Sequence, residues 1–313
     1  MKIYNNLSEF IAPQYAVVTS GTFDGVHQGH QKILKRIRKI ADQHNGETVL
    51  ITYWPHPRHV LFPEDNSLQL LSSIEEKAEL LSQNGIDHLI RLPFTQEFAQ
   101  MAPEDFVQNI LINAIGTKKL VIGYDHHFGK NRSGNFEFLK QNQDRFGFEL
   151  EEISRHDVDE VGVSSSKIRN HLLRGTLKEA NQYLSRPYEL SGQVVHGQKL
   201  GRTIQFPTAN IEVAFKHKLI PKFGVYAVLV EFEGALMEGM LNIGKNPTVS
   251  ATEDVKMEVH IFDFDKDLYQ QCVRVIFIDR LREEKKFESV AALKSALEED
   301  KNAAKTILKN YRR

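Results

Sequence analysis

The chain has 313 residues, of which 41% are hydrophobic and 26% are charged, and its formal net charge is −1. This length and composition predict a globular protein of about two domains, and the nearly balanced charge gives no reason to expect nucleic acid or a membrane surface as a partner. A single cysteine excludes an intrachain disulfide, and without a signal-like or membrane-spanning apolar run the protein is expected to be cytoplasmic.

The first informative segment is a turn between a predicted strand and a predicted helix. Tyr15–Val18 predicts a buried strand, and the apolar residues of the segment 31–40 recur at helical spacing. Between them, Gly21–His30 carries three glycines and the imidazoles of His27 and His30. Such a turn exposes backbone N–H groups at a helix N-terminus, where the helix dipole favours an anion. It predicts a phosphate site, with an ordinary tight connection or half of a metal site as the alternatives.

Strands and helices alternate through the rest of the N-terminal half. Pro55 and Pro57 predict that neither a helix nor a central strand forms directly after the second strand. The alternation predicts a parallel, doubly wound, Rossmann-like α/β sheet. Further strands are predicted at Thr48–Tyr53, Ile86–Leu92, Leu120–Gly123 and Phe148–Ile153. Helices are predicted to begin at Ser73, Pro103, Phe136 and Ser164.

The unusual segments of this half all follow predicted strands. In doubly wound sheets, ligands bind outside the carboxyl ends of the strands. This placement predicts one crevice that holds all four segments. They are Gly21–His30, Pro55–Arg58, Asp125–Gly129 and Ser164–Arg169.

The pattern of the chain changes near Tyr183. The domains are predicted as 1–183 and 184–313, with a linker at Leu184–Tyr188. Beyond the linker, short strands with turn signals and no intervening helices predict an antiparallel barrel or sandwich. A terminal helix is predicted over 290–311. The predicted strands are 188–196, 224–232, 236–243, 255–262 and 271–278.

The motifs of both halves resemble those of the bacterial bifunctional riboflavin kinase/FAD synthetase family over essentially the whole chain. The resemblance implies a nucleotidyltransferase domain that adenylylates FMN to FAD, followed by an antiparallel β-barrel domain that phosphorylates riboflavin to FMN, both with ATP. The motifs in the N-terminal half are Gly21–His30, Pro55–Arg58, Gly123–Gly129 and Ser164–Arg169. Those in the C-terminal half are Gly201–Asn210, Gly224–Tyr226, Asn242–Gly244, Pro247–Thr248, Glu258–His260, Leu268–Tyr269 and Leu281–Glu283.

For the N-terminal domain, the resemblance implies that His27 and His30 contact the triphosphate and stabilise the charge that develops in the transition state. Helix N-capping by the serines, a turn role for Asp125 and a metal site on residues 125–127 are the alternatives. Residues implied in ATP or phosphate binding are Gly21, Phe23, Gly29, Ser164, Ser165, Ser166 and Arg169. Residues implied in flavin binding are Pro55, His56, Pro57 and Asp125.

For the C-terminal domain, the resemblance implies that Glu258 is the base near the ribityl 5′-hydroxyl. The alternative is that Glu258 is a solvent-facing strand carboxylate, and residues 281–286 could equally form a solvated charge run. Hard oxygen ligands suit Mg²⁺ and the ATP phosphates. The implied residues are Asn210 in catalysis, Thr208 and Asn210 at Mg²⁺, Gly201 and Thr208 at ATP, and Arg282 at the flavin.

Three positions depart from the family pattern. His126 stands where an aromatic residue is usual, and Gln205 and Gln270 stand where glycine is usual. Replacing glycine in a loop that approaches phosphate is expected to narrow the site and lower kinase efficiency. Two other functions stay open, an adenylyltransferase with an inactive kinase domain and a flavin-binding storage or regulatory protein. The expected partners are ATP, riboflavin, FMN and FAD, and the protein is expected to be a monomer or a weak homo-oligomer.

Overall fold

The structure is a computed structural model that describes residues 1–154, 162–197, 204–245 and 255–311. It divides into two compact units, Met1–Ser165 and Ser166–Arg313. The domain boundary at 183/184 stays a prediction. None of the helices within the described ranges is long and apolar enough to span a membrane.

The N-terminal unit contains a six-stranded sheet in which every described pair of neighbouring strands is parallel. This confirms the predicted sheet, to which the structure adds β1 at its edge. The strand order is β1-β4-β3-β2-β5-β6, so the direction of strand addition reverses beside β2. The strands are β1 (Lys2–Tyr4), β2 (Ala16–Ser20), β3 (Glu47–Trp54), β4 (His88–Pro93), β5 (Thr117–Gly123) and β6 (Glu149–Ile153).

Helices cover both faces of the sheet. The alternating side chains of the strands enter two apolar clusters, one packed under α1 and α3 and the other under the π-helix and α5. The helices of this unit are α1 (Gln28–Gln43), α2 (Pro57–Leu61), α3 (Ile74–Gln83), α4 (Pro103–Asp105), a π-helix (Phe106–Ala114) and α5 (Phe136–Phe146). Single 3₁₀ turns lie at Leu7–Glu9, Phe98–Gln100 and Lys130–Arg132.

The short helix α2 contradicts the expectation that Pro55 and Pro57 exclude a helix. Pro57 is the first residue of α2, and the N-cap His56 accepts a hydrogen bond from the backbone of Arg58 through Nδ1. A proline fits the first helical position because the N–H that it lacks would have no partner within the helix. Only Pro55 therefore lies outside a helix.

The second unit begins with two helices and continues as a closed antiparallel barrel. The helices are α6 (Ser165–Arg174), whose first residue belongs to the other unit, and α7 (Leu177–Leu184). The barrel strands are β7 (Tyr188–Val195), β8 (Ala209–Glu212), β9 (Gly224–Phe232), β10 (Ala235–Lys245), β11 (Val255–Ile261) and β12 (Cys272–Arg282). Around the barrel their order is β10-β11-β8-β7-β12-β9.

This closure confirms the predicted barrel, and β8 is the strand that the sequence analysis did not predict. β8 pairs with β11 on one side and with β7 on the other. A terminal helix, α8 (Val290–Tyr311), matches the predicted range. Its residues Ala304 and Leu308 pack against the outer face of the barrel in a cluster with Leu229 and Met240. The β9 strand is consequently buried on both faces.

Candidate active sites

The turn after β2 has a backbone that most residues rarely adopt. Phe23, Gly25 and Val26 have φ angles of 46°, 77° and 41°. Positive φ is strained for a residue with a side chain, and most of all for a β-branched one such as Val26. At Gly25 a side chain is also excluded, because a Cβ there would lie 2.6 Å from Cδ1 of Leu71. Tight packing therefore holds the turn in a strained shape at the carboxyl edge of the sheet.

Asp24 attaches this turn to the start of α3. Its buried carboxylate accepts hydrogen bonds from the backbone N–H groups of Leu71 (3.0 and 3.1 Å) and Ser72 (3.2 Å). In return, the N–H of Gly25 donates to Oγ of Ser72 at 3.2 Å. The turn and the N-terminus of α3 are therefore held together by reciprocal hydrogen bonds.

The two motif histidines lie against each other at the start of α1. Their rings stack with centroids 3.7 Å apart, and the ring of Phe23 packs on His30 at 4.8 Å. His27 is the N-cap of α1, and its Nδ1 accepts from the backbone N–H of His30 at 3.4 Å. A neutral ring that accepts at Nδ1 carries its proton on Nε2. His27 can thus donate a hydrogen bond from Nε2.

His30 is uncharged near neutral pH. Burial, followed by the charges of His27 and Lys77, lowers the pKa of His30 well below its usual value. Its Nδ1 is buried and has no hydrogen-bond partner among the described residues. A buried polar atom without a partner is costly unless a ligand satisfies it. His30 therefore offers a hydrogen bond to a ligand rather than positive charge.

The predicted phosphate residues around the turn differ in their contacts. Gly21 donates its N–H to the carbonyl of Ile51 at 3.0 Å, so that group belongs to the sheet. Gly29 is buried in the first turn of α1. Ser165 donates its hydroxyl to the carbonyl of Asp24 at 3.0 Å, which brings the start of α6 to the motif turn.

Three further predicted phosphate residues lie at or near the start of α6. Ser164 is exposed and directly precedes α6. Arg169 donates from Nη1 to Oγ of Ser166 at 3.4 Å. Arg169 is four positions after Ser165 in the sequence, so both residues lie on one face of the helix.

The segments predicted to bind flavin follow β3 and β5. Pro55 is exposed and His56 and Pro57 are half-buried, whereas Arg58 forms an ion pair with Asp65 at 2.6 Å. The exposed Asp125 follows β5. Because β3 and β5 flank β2, these segments lie at the same sheet edge as the histidines.

His126, which departs from the family pattern, joins the ends of two neighbouring strands. Its Nε2 is 3.2 Å from Oγ of Ser20 at the end of β2. Burial, with smaller effects of His127 and Arg132, lowers the pKa of His126 to about 4. Within the described ranges, no group of three or more His, Cys, Asp or Glu residues is arranged to hold a metal ion.

In the barrel, the predicted catalytic residues form a row across three strands. Asn210 on β8 is directly opposite Glu258 on β11, and Glu258 is directly opposite Asn242 on β10. Opposed residues on antiparallel strands project to the same face of the sheet. Lys256, two residues before Glu258 on the same face, contacts its carboxylate at 3.0 Å. The sequence analysis named Asn242 in a motif without giving it a role, and it missed Lys256.

Two cavities meet at Thr208. One, of about 340 Å³, is lined by polar groups that include Asn210 and by His196 and Tyr269, whose rings stack at 3.6 Å. The other, of about 290 Å³, contains Glu258, Asn242 and Arg282 and several apolar side chains. Those apolar residues are Ile204, Phe206, Met240, Phe287, Leu293 and Leu297. Thr208 lines both cavities.

Gly197, just after β7, lies close to Asn210. A Cβ on Gly197 would lie 1.9 Å from Nδ2 of Asn210, so any larger residue there would displace the Asn210 side chain. Gly201, predicted to bind ATP, lies outside the described residues, as do Pro247 and Thr248. Gln205 and Gln270 have φ angles of 67° and 63°, the left-handed region that the usual glycine would adopt easily.

Arg282 lies in the apolar cavity and is paired with the C-terminal helix. Its guanidinium contacts the buried carboxylate of Asp300 on α8 at 2.7, 2.9 and 3.1 Å, and Phe287 packs on it at 5.6 Å. This pairing excludes a merely solvated role for Arg282. In the same cavity, His260 donates from Nδ1 to the carbonyl of Pro207 at 2.8 Å, and its buried Nε2 has no partner among the described residues. Sequence reasoning missed Asp300, and it named His260 in a motif without giving it a role.

Comparison with known proteins assigns a family to each unit. Residues 10–167 match the family model described as FAD synthetase, and residues 184–308 match the one described as riboflavin kinase. Proteins named bifunctional riboflavin kinase/FMN adenylyltransferase are similar over nearly the whole length. The relative from Pseudomonas fluorescens is 37% identical, covering 93% of this chain and 92% of its own. The relative from Listeria monocytogenes is 38% identical, covering 91% and 90%.

A solved structure is similar over the same length. It is titled as a macrolide-efflux protein from Streptococcus pneumoniae and is 33% identical, with a TM-score of 0.88 over 97% of this chain and 98% of that one. Both family models and the full-length relatives agree with the motifs and with the two-unit fold. The chain therefore belongs to the bifunctional riboflavin kinase/FMN adenylyltransferase family, and it is an enzyme that phosphorylates riboflavin to FMN and adenylylates FMN to FAD.

Proposed function

We propose that FMN adenylylation takes place at the carboxyl edge of the sheet, around His27 and His30. The observation that carries this is the meeting of three segments at Asp24, whose carboxylate accepts from the start of α3 and whose carbonyl accepts from Ser165 at the start of α6. The segment that precedes the N-cap of α3 and the residue Ser165 thereby adjoin the histidine turn. Helix N-termini direct N–H groups and positive potential towards phosphate.

The chemistry required at this edge is charge neutralisation and alignment. A phosphate oxygen of FMN attacks the α-phosphorus of ATP, the new P–O bond forms, and the bond to the β-phosphate breaks to release pyrophosphate. Nε2–H of His27 and a ring nitrogen of His30 hydrogen-bond the oxygens of the reacting phosphorus as charge builds there. The hydroxyls of Ser164 and Ser165 hold the departing phosphates, and Pro55–Pro57 and Asp125 line the flavin side.

We propose that riboflavin phosphorylation takes place where the two barrel cavities meet at Thr208. The polar cavity suits ATP, with its base near the stacked rings of His196 and Tyr269. The apolar cavity suits the isoalloxazine ring and places Glu258 as the base that accepts the proton of the 5′-hydroxyl. ATP then reaches Thr208 from the polar cavity and riboflavin reaches it from the apolar cavity. This placement aligns the phosphoryl donor with the acceptor hydroxyl.

Mg²⁺ fits the donor groups at this junction. The Thr208 hydroxyl and the Asn210 amide oxygen are hard oxygen ligands, the kind that Mg²⁺ combines with substrate phosphates. Thr208 and Asn210 would hold it, and the ion would supply charge neutralisation on the phosphates. ATP as the donor in both reactions supports a cytoplasmic location. We also propose that the protein works as a monomer or weak homo-oligomer.

The residue assignments are tested by product analysis of two single-site variants. His30→Ala should abolish FAD formation from FMN and leave FMN formation from riboflavin unchanged, and Glu258→Gln should do the reverse. Riboflavin or FMN is supplied with Mg²⁺–ATP, and the flavins are separated by chromatography and detected by fluorescence. Loss of both activities in either folded variant would contradict two independent sites. Unchanged FAD formation in His30→Ala would overturn the assignment of the histidine turn.

A further inference from the structure

Lys77 is a buried lysine beside the histidine turn. It lies in the first turn of α3, after the Ser73–Glu76 capping box, and its residue surface is 2% exposed. Its Nζ is 5.6 Å from the ring centroid of Trp54, at the end of β3. The sequence around Lys77 does not distinguish it from a lysine on the exposed face of a helix.

The Lys77 ammonium has no anionic partner in the described part of the chain. No acceptor there hydrogen-bonds it, and no carboxylate oxygen lies within the 4.0 Å of an ion pair. The neighbouring Glu76 carboxylate instead accepts from the N–H of Ser73 at 2.9 Å. Burying an unpaired charge is strongly unfavourable, and a position near a helix N-terminus adds repulsion from the dipole.

The charges around Lys77 leave positive charge uncompensated. Burial, the largest effect, lowers the pKa of Lys77 to about 8, while Asp24 raises this pKa and Arg91 lowers it by smaller amounts. The Asp24 carboxylate is engaged by the N–H groups of Leu71 and Ser72. Nε of Arg91 is buried and also lacks a partner among the described residues. Two cations therefore share one carboxylate, beside a His30 imidazole that is neutral.

The hydrogen bonds between the turn and α3 fix Lys77 relative to the histidines. Leu71 and Ser72 donate to Asp24, and Gly25 donates to Ser72, so the two residues that precede the N-cap of α3 are bonded to the histidine turn. The ammonium is close enough to His30 to lower its pKa. A cation held in this way, beside the uncharged imidazole of His30, supplies the charge that the reacting phosphates require.

We propose that Lys77 is a phosphate-binding residue of the adenylylation site, where its ammonium contacts phosphate oxygens of a substrate. The inference rests on the proposed site at the histidine turn. The same chemistry has two sources, the β- and γ-phosphates that leave ATP as pyrophosphate and the phosphate of FMN. No proton transfer is involved, because the ammonium only stabilises negative charge while the P–O bonds exchange.

The test uses Lys77→Met, which keeps the side-chain volume and removes the charge. FAD formation from FMN should lose at least about a hundredfold in kcat/KM, while riboflavin phosphorylation in the same molecule stays within twofold. The melting temperature should be unchanged or higher, since an unpaired buried charge is gone. Lys77→Arg should recover part of the loss. Lys118→Met, which changes an exposed lysine at the amino end of β5, should leave both activities unchanged.

The kinetic constants distinguish the two sources of phosphate. A contact with the ATP phosphates raises KM for ATP and weakens inhibition by pyrophosphate, whereas a contact with FMN raises KM for FMN alone. FAD formation within threefold of wild type in Lys77→Met would overturn the inference. If His30→Ala is inactive at the same time, the proposed site survives and only the role of Lys77 is lost.

A second measurement does not depend on the folding of a variant. Trp54 is the one tryptophan in the chain, and Lys77 lies over its ring. Titrating the wild-type protein with inorganic pyrophosphate should change Trp54 fluorescence in a saturable way, and ATP should compete. A contact with FMN alone predicts the same response to inorganic phosphate. If neither anion changes the fluorescence, Lys77 does not bind phosphate.

Discussion

Asn210 and Glu258 are directly opposite each other on the antiparallel strands β8 and β11. The metal ligand and the base of the proposed kinase site are thus fixed by one strand pairing rather than by a loop. Because strand positions are held by backbone hydrogen bonds, the geometry of the site depends on the register of this pair. Mutations that shift one residue of the row should affect the kinase reaction alone.

Glu258→Gln tests the base in this row. The amide keeps the size of the side chain but cannot accept the 5′-hydroxyl proton as a carboxylate does. We expect FMN formation to fall by about 10²- to 10⁴-fold. FAD formation from supplied FMN is the internal control and should be unchanged. A loss of less than tenfold would show that another group takes the proton.

Gly197→Ala tests the close approach of the loop to Asn210. The new methyl group would overlap Nδ2 of Asn210 at 1.9 Å, so the amide must move away from its place opposite Glu258. We expect at least about a tenfold loss of riboflavin phosphorylation, or about 1.4 kcal/mol in the barrier. The rate is measured at saturating riboflavin over a range of Mg²⁺ concentrations. A rate within twofold of wild type would mean that Asn210 tolerates displacement.

Gln205→Gly and Gln270→Gly test the two departures from the family pattern. Both glutamines have positive φ, which costs an ordinary residue about 1–2 kcal/mol, whereas glycine loses about 0.5–1 kcal/mol of backbone entropy instead. Each change should alter the free energy of unfolding by less than about 1 kcal/mol, in the stabilising direction. Urea unfolding measures this. A kinase rate that rises tenfold in either variant would show that the glutamine side chain narrows the site.

His126→Phe tests the pH dependence of stability. Burial lowers the pKa of His126 to about 4, below its value of about 6.5 in the unfolded chain. Between these values the unfolded state binds the proton more readily, so this contribution is fully present above pH 6.5 and is lost as the pH falls towards 4. At pH 5 the loss is about 2 kcal/mol.

The variant should therefore lose about 2 kcal/mol less stability than wild type between pH 8 and pH 5. Urea unfolding followed by Trp54 fluorescence reports on the N-terminal unit. His59→Phe is the matched control, since it changes a histidine of the same unit that lies outside the sheet. If His126→Phe and wild type lost the same free energy of unfolding between pH 8 and pH 5, His126 would not be buried as a neutral ring.

Asp300→Ala tests the ion pair that holds Arg282. Removing the buried carboxylate leaves the guanidinium without its partner, which should cost about 3 kcal/mol of stability. The KM for riboflavin should rise, because Arg282 is no longer held in the apolar cavity. Lys305→Ala, on the same helix as Asp300, breaks the exposed ion pair with Asp263 and should cost less than about 1 kcal/mol. Equal effects of the two changes would show that Asp300 does not position Arg282.

Sequence patterns predicted the elements that have long, regular periodicity. The parallel sheet follows from its buried apolar strands, and α3 begins at Ser73 with the predicted capping box. β8 was missed because Ala209–Glu212 is short and only half apolar, and it forms between β7 and β11, the second of which is distant in the chain. The helix at Pro57 was missed because the rule for prolines inside helices does not apply at a first position.

Residue identities predicted the motifs of the site, and tertiary contacts decide what surrounds them. Arg282 and Asp300 are 18 residues apart, and no local spacing indicates that they pair. Lys77 follows two glutamates in the first turn of a helix, a pattern typical of a solvated surface. Its burial depends on the packing of α3 against the turn at Asp24, which a single sequence does not reveal.

The shortness of β8 has a consequence for the integrity of the barrel. This four-residue strand is the shortest of the six barrel strands. It pairs at two positions with β11 and at three with β7. Short strands with few hydrogen bonds open at the lowest free energy in a folded domain. β8 also contains Asn210 and directly follows Thr208. Opening there would disable phosphoryl transfer well before the barrel unfolds, so the kinase reaction should fail first under mild denaturing stress.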